Sequence, residues 1–113
     1  MANKTIVDYP KYVDGTSMGA SIDCPSTNIM YVDRVGYQIS YTGTPTGTFS
    51  VEISNDNATW EAMTLSTAIA AAGSPDNHFI DCETAAKYIR LKYIRSSGTG
   101  ALYVALTTKS ISG

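Results

Sequence analysis

The 113-residue chain has room for one domain, and its 43% hydrophobic content is enough to build a core without metal or disulfide staples. Only 16% of its residues are charged, while Thr occurs 14 times, so the surface rests on Thr, Ser and Gly and is easily covered by a neighbour. A net charge of −2 and a pI near 5.1 exclude a general nucleic-acid binder, which needs a basic footprint.

The first 34 residues predict short strands at 3–8, 19–23 and 28–33. Residues 1–18 are read as an N-terminal arm or edge strand, broken by Pro10 and Gly15, and 19–113 as a single β domain. Period-two alternation then takes over. Val35, Tyr37, Ile39 and Tyr41 alternate with Gly36, Gln38 and Ser40, the pattern of a strand with one buried face. Thr42–Gly47 reads as a hairpin loop, and Phe49, Val51 and Ile53 mark the next strand. Asn55-Asp56-Asn57 is a turn leading into a strand over 58–65, whose pattern slips between Trp60 and Met63. These three strands predict a meander, with Trp60 in the core.

Ala68–Ala72 favours helix locally, but Gly73 and Pro75 cut it off, so at most one short helix is expected near 66–72. Strands follow at 78–82, 87–95 and 101–108, the last two joined by an expected hairpin at 96–100. Many short strands separated by turn signals predict an all-β, antiparallel sandwich or barrel.

Catalytic signatures are lacking. His78, the single histidine, has no local nucleophile or carboxylate pattern beside it. Cys24 and Cys82 lack metal or redox spacing and read as core-filling thiols, with a disulfide the less favoured alternative. Asp8, Asp14, Asp23 and Asp33 are too dispersed for a calcium loop, and no glycine loop leads into a helix as a phosphate cradle does. The expectation is therefore no enzyme, no cofactor and no metal. With no signal-peptide run in MANKTIVDYPKY and no stretch of roughly 20 apolar residues, synthesis in a cytoplasm and no membrane partner are expected.

Two features point to binding. Lys87, Arg90, Lys92 and Arg95 hold half of the eight cations, and Arg90 and Lys92 share the outer face of one strand. Such a stripe is either a solvated strand face or a docking patch for an acidic neighbour. Tyr88 and Tyr103 fall on the outer faces of the two C-terminal strands that are expected to pair. Aromatics there anchor a protein interface, stack on a sugar ring, or form cross-strand pairs. The candidate interface is thus Lys87, Tyr88, Arg90, Lys92, Arg95 and Tyr103.

The run VGYQISYTGTPTGTFSVEISNDNATWEAM at 35–63, with its F-x-V-x-x-S-N-D strand and Trp-bearing successor, resembles small virion proteins of tailed bacteriophages. The stretch AAKYIRLKYIRSSGTGALYVALTTK at 85–109 is similar to the end of the same kind of domain. It also resembles the Y-[IV]-R-[LV] strand of discoidin-like, galactose-binding sandwiches, although no counterpart of their calcium loop or aromatic spikes is present. The resemblance implies a jelly-roll or discoidin-like sandwich with Phe49, Val51, Trp60, Ile89 and Leu91 in the core. It implies a capsid decoration (cement) or head–tail accessory protein, assembled into the virion in the host cytoplasm. Its partners would be other virion proteins, in a homo-oligomer or symmetric array, with no specific nucleic acid. A carbohydrate-binding module is the alternative. On this reading the N-terminal segment reaches onto a neighbour, and deleting residues 1–14 leaves the domain folded while abolishing incorporation.

Overall fold

The computed structural model describes residues 3–30, 32, 34–63 and 69–112. Their regular elements are all strands: β1 (Asn3–Ser17), β2 (Ile22–Asp23), β3 (Thr27–Asn28), β4 (Arg34–Tyr41), β5 (Thr46–Ser54), β6 (Glu61–Ala62), β7 (Ile69–Ala72), β8 (Asp76–Cys82), β9 (Tyr88–Ser97) and β10 (Ala101–Ser112). Every pairing is antiparallel. The first sheet has the order β1-β10-β4-β8. The second has the order β2-β9-β5-β6, with β3 also on β9 and β7 also on β5.

The period-two alternation decides which face each sheet turns inward. On β4, Val35, Tyr37, Ile39 and Tyr41 are buried; on β10, Leu102, Val104 and Leu106 are buried beside them. The second sheet answers with Phe49, Val51, Ile89, Leu91 and Tyr93. An aromatic pair spans the layers, with Tyr41 5.8 Å from Phe49, and Phe49 in turn lies 5.1 Å from Tyr93, its register partner within the second sheet. Each fully buried Leu or Ile contributes about 1.5–3 kcal/mol of transfer free energy. The expected all-β sandwich is what this burial produces.

The connections differ from the meander and hairpins that the sequence predicts. β4 and β5 lie in different sheets, as do β9 and β10, so 42–45 and 98–100 are crossovers. They cross together. Tyr41 pairs with Leu102 on one side of the corner and Thr46 with Ser97 on the other. Between them, Thr42 N–H donates to the Ala101 carbonyl at 3.1 Å and Thr44 N–H to the Thr99 carbonyl at 2.8 Å. A two-stranded ribbon thus bends out of one sheet and into the other. Glycine is needed at the bend: Gly98 has φ +77, and a Cβ there would overlap the Thr44 carbonyl oxygen and sit 2.9 Å from its carbon.

The short helix expected near 66–72 is also corrected. Ile69–Ala72 is strand β7, paired to Thr46–Phe49, while 66–68 lie outside the described residues. An alanine run this short cannot repay helix nucleation, whereas the free edge of β5 satisfies its backbone at once. Gly73 (φ +84) ends the strand and donates its N–H to the Pro45 carbonyl at 2.8 Å. Of the expected strands at 19–23, 28–33 and 58–65, only Ile22–Asp23, Thr27–Asn28 and Glu61–Ala62 are paired as strands among the described residues.

β1 is the edge strand of the first sheet. It pairs with β10 from Asn3↔Ser112 to Ser17↔Ala101, with irregularities after Tyr9 and Asp14. Its N-terminal end runs past β4, since the last β10–β4 pair is Lys109↔Arg34 while the β1–β10 pairing continues to Asn3↔Ser112. Val13 is buried, and Tyr12 packs against the core with its ring 5.8 Å from that of Tyr37. The Tyr12 hydroxyl donates to the Pro25 carbonyl, tying β1 to the segment between β2 and β3.

The β5–β6 loop is held by one carboxylate. Asp56 Oδ1 accepts the N–H groups of Thr59 and Ala58 and the Ser54 hydroxyl, which hold the carboxyl at about 2, below its ordinary 3.8. A folded-state pKa below the unfolded one stabilises above pH 4, and that stabilisation is lost as pH falls from about 4 to about 2. Melting temperatures between pH 6 and pH 2 should therefore fall in this window. In Asp56→Asn the slope there should flatten; an unchanged slope would place the acid sensitivity elsewhere.

Candidate functional site

The outer face of the second sheet carries the basic stripe. Tyr88, Arg90 and Lys92 alternate with the buried Ile89, Leu91 and Tyr93, which fixes them as half-exposed outer residues. Arg90 is already engaged. Its Nη2 and Nε each lie 2.7 Å from Glu52 Oε1, across the Glu52↔Arg90 register pair, and its guanidinium sits 4.3 Å from the centre of the Trp60 ring. Lys92 faces Asp23 on β2 at 3.5 Å. Lys87 is exposed at the head of β9, its N–H donating to Asn55 Oδ1. Arg95 is exposed at the other end, its Nε–H donating to the Gly98 carbonyl at 2.9 Å.

Trp60 is thus half-buried on the outer surface over Arg90, not in the core as the sequence suggested. The charge on its neighbouring strand explains the placement, because an indole face stabilises a guanidinium that carboxylate pairing has already fixed. Arg90→Ala should lower stability by about 2 kcal/mol, since it leaves the Glu52 carboxylate half-buried without its cation. In a double-mutant cycle with Glu52→Ala, the pair should cost less than the sum of the singles. Strict additivity would mean that the two side chains are uncoupled.

Tyr88 and Tyr103 do not come together. Tyr103 lies on the outer face of the first sheet, 41% exposed, next to Gly15 of β1. The expected face joining both tyrosines required β9 and β10 to pair, and the crossover at 98–100 puts them on opposite sides of the sandwich. The first sheet's outer face holds a residue the sequence reading passed over. Phe79 on β8 is 63% exposed and leans over Gly36, where a Cβ would come within 2.8 Å of its ring. The strict alternation of His78, Ile80 and Cys82 with Phe79 and Asp81 was the available signal. Beside it Arg34 is bracketed by the carboxylates of Asp81 and Glu83, which hold its guanidinium charged. These residues line a shallow cleft of about 300 Å3.

A larger groove, about 660 Å3, lies between β1 and the β2–β3 segment and is lined by Tyr9, Lys11, Tyr12, Ser26, Thr27 and Asn28. His78 is half-buried, with Nε2 2.9 Å from the Tyr41 hydroxyl, and its ring stacks on Tyr41. Cys24 and Cys82 are free and buried; burial pushes their thiols up to about 12 and about 11, so neither is a thiolate at neutral pH. Among the described residues no cluster of three or more His, Cys, Asp or Glu side chains is placed to hold a metal.

No protein-family model matches the sequence, and no curated protein matches it. Solved structures do. The chain superposes on a protein of the infectious bursal disease virus Gx strain with a TM-score of 0.60, at 14% identity, over 95% of this chain and 32% of that one. The SPBc2 prophage-derived protein YomS gives 0.58 at 9% identity, covering 97% and 96% of the two chains. The PBSX exported protein XepA gives 0.58 at 14% identity, covering 100% of this chain and 38% of that one. The chain therefore spans about a third of the viral protein and of XepA, and nearly all of YomS. At such identities the likeness establishes a shared β-sandwich fold.

Proposed function

We propose that the chain is a non-enzymatic structural protein of a phage virion, acting as capsid decoration or as a head–tail accessory through many small protein–protein contacts. The observation that carries this reading is the end-to-end likeness to prophage-derived YomS, in which one small sandwich makes up almost the whole of each chain. The likeness to a virus protein and to XepA supports it, as does a composition rich in Thr and Ser with only 16% charged residues. Within it, Lys87, Tyr88, Arg95 and Tyr103 are contact residues, while Arg90 and Lys92 keep the stripe in register through Glu52 and Asp23. Contacts of this kind add up by repetition in a symmetric array. Immunogold labelling of purified particles from the source should decorate heads or tails at regular positions. Particles free of label, with the protein confined to the soluble fraction, would overturn the reading.

A second reading, a glycan-binding module, is favoured by the groove at Tyr9, where a 41% exposed ring is flanked by hydroxyl and amide side chains. Retardation of the protein in polysaccharide-containing gels, lost in Tyr9→Ala, would support it. Unretarded migration in cell-wall and capsular polysaccharides would remove it.

A further inference from the structure

We infer that the outer face of the first sheet is a self-complementary docking surface for a second copy of this chain, with the two sheets running antiparallel across a two-fold axis. The inference rests on the face itself and stands apart from the virion reading.

The register lays the face out in rows. Phe79, Gln38 and Ala105 are direct partners and form one row across β8, β4 and β10. Toward one end follow Asp81, Gly36 and Thr107, then Arg34 and Lys109. Toward the other end follow Asn77, Ser40 and Tyr103, with Asp14 beside Tyr103 on β1. The central row Phe79–Gln38–Ala105 is uncharged and holds the most exposed large hydrophobic side chain among the described residues, Phe79; Tyr103 lies in the next row. The opposite sheet instead covers its outer face with the Arg90–Glu52 and Lys92–Asp23 pairs.

Charge selects the occupant and its orientation. Arg34 is neutralised within its own subunit by Asp81 and Glu83. Among the described residues, Lys109 at one end and Asp14 at the other have no ion-pair partner, and both are exposed. A two-fold axis along the central row brings the Lys109 end of each copy toward the Asp14 end of the other. It also sets Phe79 opposite the second copy's Phe79, and the Tyr103 row over the second copy's Gly36 and Thr107, where the cleft lies. An axis along the strands through the middle of the sheet would instead set Lys109 over the second copy's Arg34, cation against cation, which complementary charge disfavours. The face is small: four strands about 4.8 Å apart and seven residues deep cover roughly 450 Å2. That is below the roughly 800 Å2 per partner of a standard interface, so a weak dimer that dissociates in the micromolar to millimolar range is expected.

Sedimentation equilibrium of the full chain from about 10 μM to about 1 mM tests this range. The weight-average mass should rise from 12.1 kDa toward twice that value. Phe79→Asp should weaken association by about tenfold or more with an unchanged circular dichroism spectrum. Should Phe79→Asp lose its fold, Gln38→Glu sets two carboxylates face to face and serves the same purpose. Ile94→Asp, exposed on the other sheet, should associate like wild type. Lys109→Glu should weaken the dimer, and adding Asp14→Lys should restore it. A single 12.1 kDa species at every concentration, or a dimer indifferent to both Phe79→Asp and Gln38→Glu, overturns the inference. An unrestored double charge reversal overturns the antiparallel arrangement.

Discussion

Replacing Gly98 with alanine should cost the domain more than about 3 kcal/mol, at the upper end of what single substitutions do. Two effects add. At φ +77 an L-residue with a Cβ is left-handed, which alone costs about 1–2 kcal/mol. The new Cβ would also overlap the carbonyl of Thr44, a residue whose N–H is bonded to the Thr99 carbonyl, so the oxygen cannot retreat without opening the corner. Gly73 separates the two effects. It has a similar φ of +84, but the nearest atom to its Cβ position is the Thr46 hydroxyl oxygen at 3.5 Å, an ordinary contact. Gly73→Ala should therefore show the backbone strain only. Thermal melts should place Gly98→Ala more than about 12 °C below wild type and Gly73→Ala about 4–12 °C below. Equal losses would mean that the corner is looser than its hydrogen bonds imply.

That corner is where the sequence was misleading, and the reason is physical. Thr42–Gly47 and Ser96–Gly100 carry the Gly, Thr and Pro that a hairpin loop requires, and a β-arch between sheets uses the same residues for the same φ values. Local chemistry reports that the chain turns; which strand it meets afterwards depends on contacts about sixty residues away in sequence, such as Tyr41↔Leu102. The alternation of Val35 to Tyr41 and of Ile89 to Tyr93, by contrast, is a local property of the strand. It located the buried face of both sheets without knowledge of pairing.

The same distinction governs the surfaces. The basic stripe was legible because Arg90 and Lys92 are two residues apart, but its engagement by Glu52, Asp23 and Trp60 depends on strand register. Trp60 shows how a tertiary charge overrides a hydrophobic preference, since the ring finds a guanidinium to cover. Phe79 shows the converse. An apolar residue in a polar-facing register is unremarkable in a short strand, and it gains meaning only when Gln38 and Ala105 are known to share its row.

Deleting residues 1–14 should unfold the domain, where the sequence alone suggested a dispensable arm. The deletion removes Val13 from the core and Tyr12 from its packing on Tyr37, together with the hydroxyl bond to the Pro25 carbonyl. It also strips the pairing partner from β10 up to Tyr103, leaving only Thr16 and Ser17 of the β1 ladder against Leu102 and Ala101. The two side chains alone contribute about 5 kcal/mol, and losing most of the β1–β10 ladder adds to this, against a total stability of about 5–15 kcal/mol for a domain of this kind. The truncated protein should lose its cooperative melt or precipitate. Removing only residues 1–8 spares Tyr12 and Val13 and should preserve the cooperative melt at a lower midpoint. The comparison matters for any assembly experiment, because only the shorter truncation can separate a role in contacting neighbours from a role in holding the sandwich together. If the 1–14 deletion melted like the intact chain, β1 would be an appendage after all, and its pairing with β10 would contribute nothing to the fold.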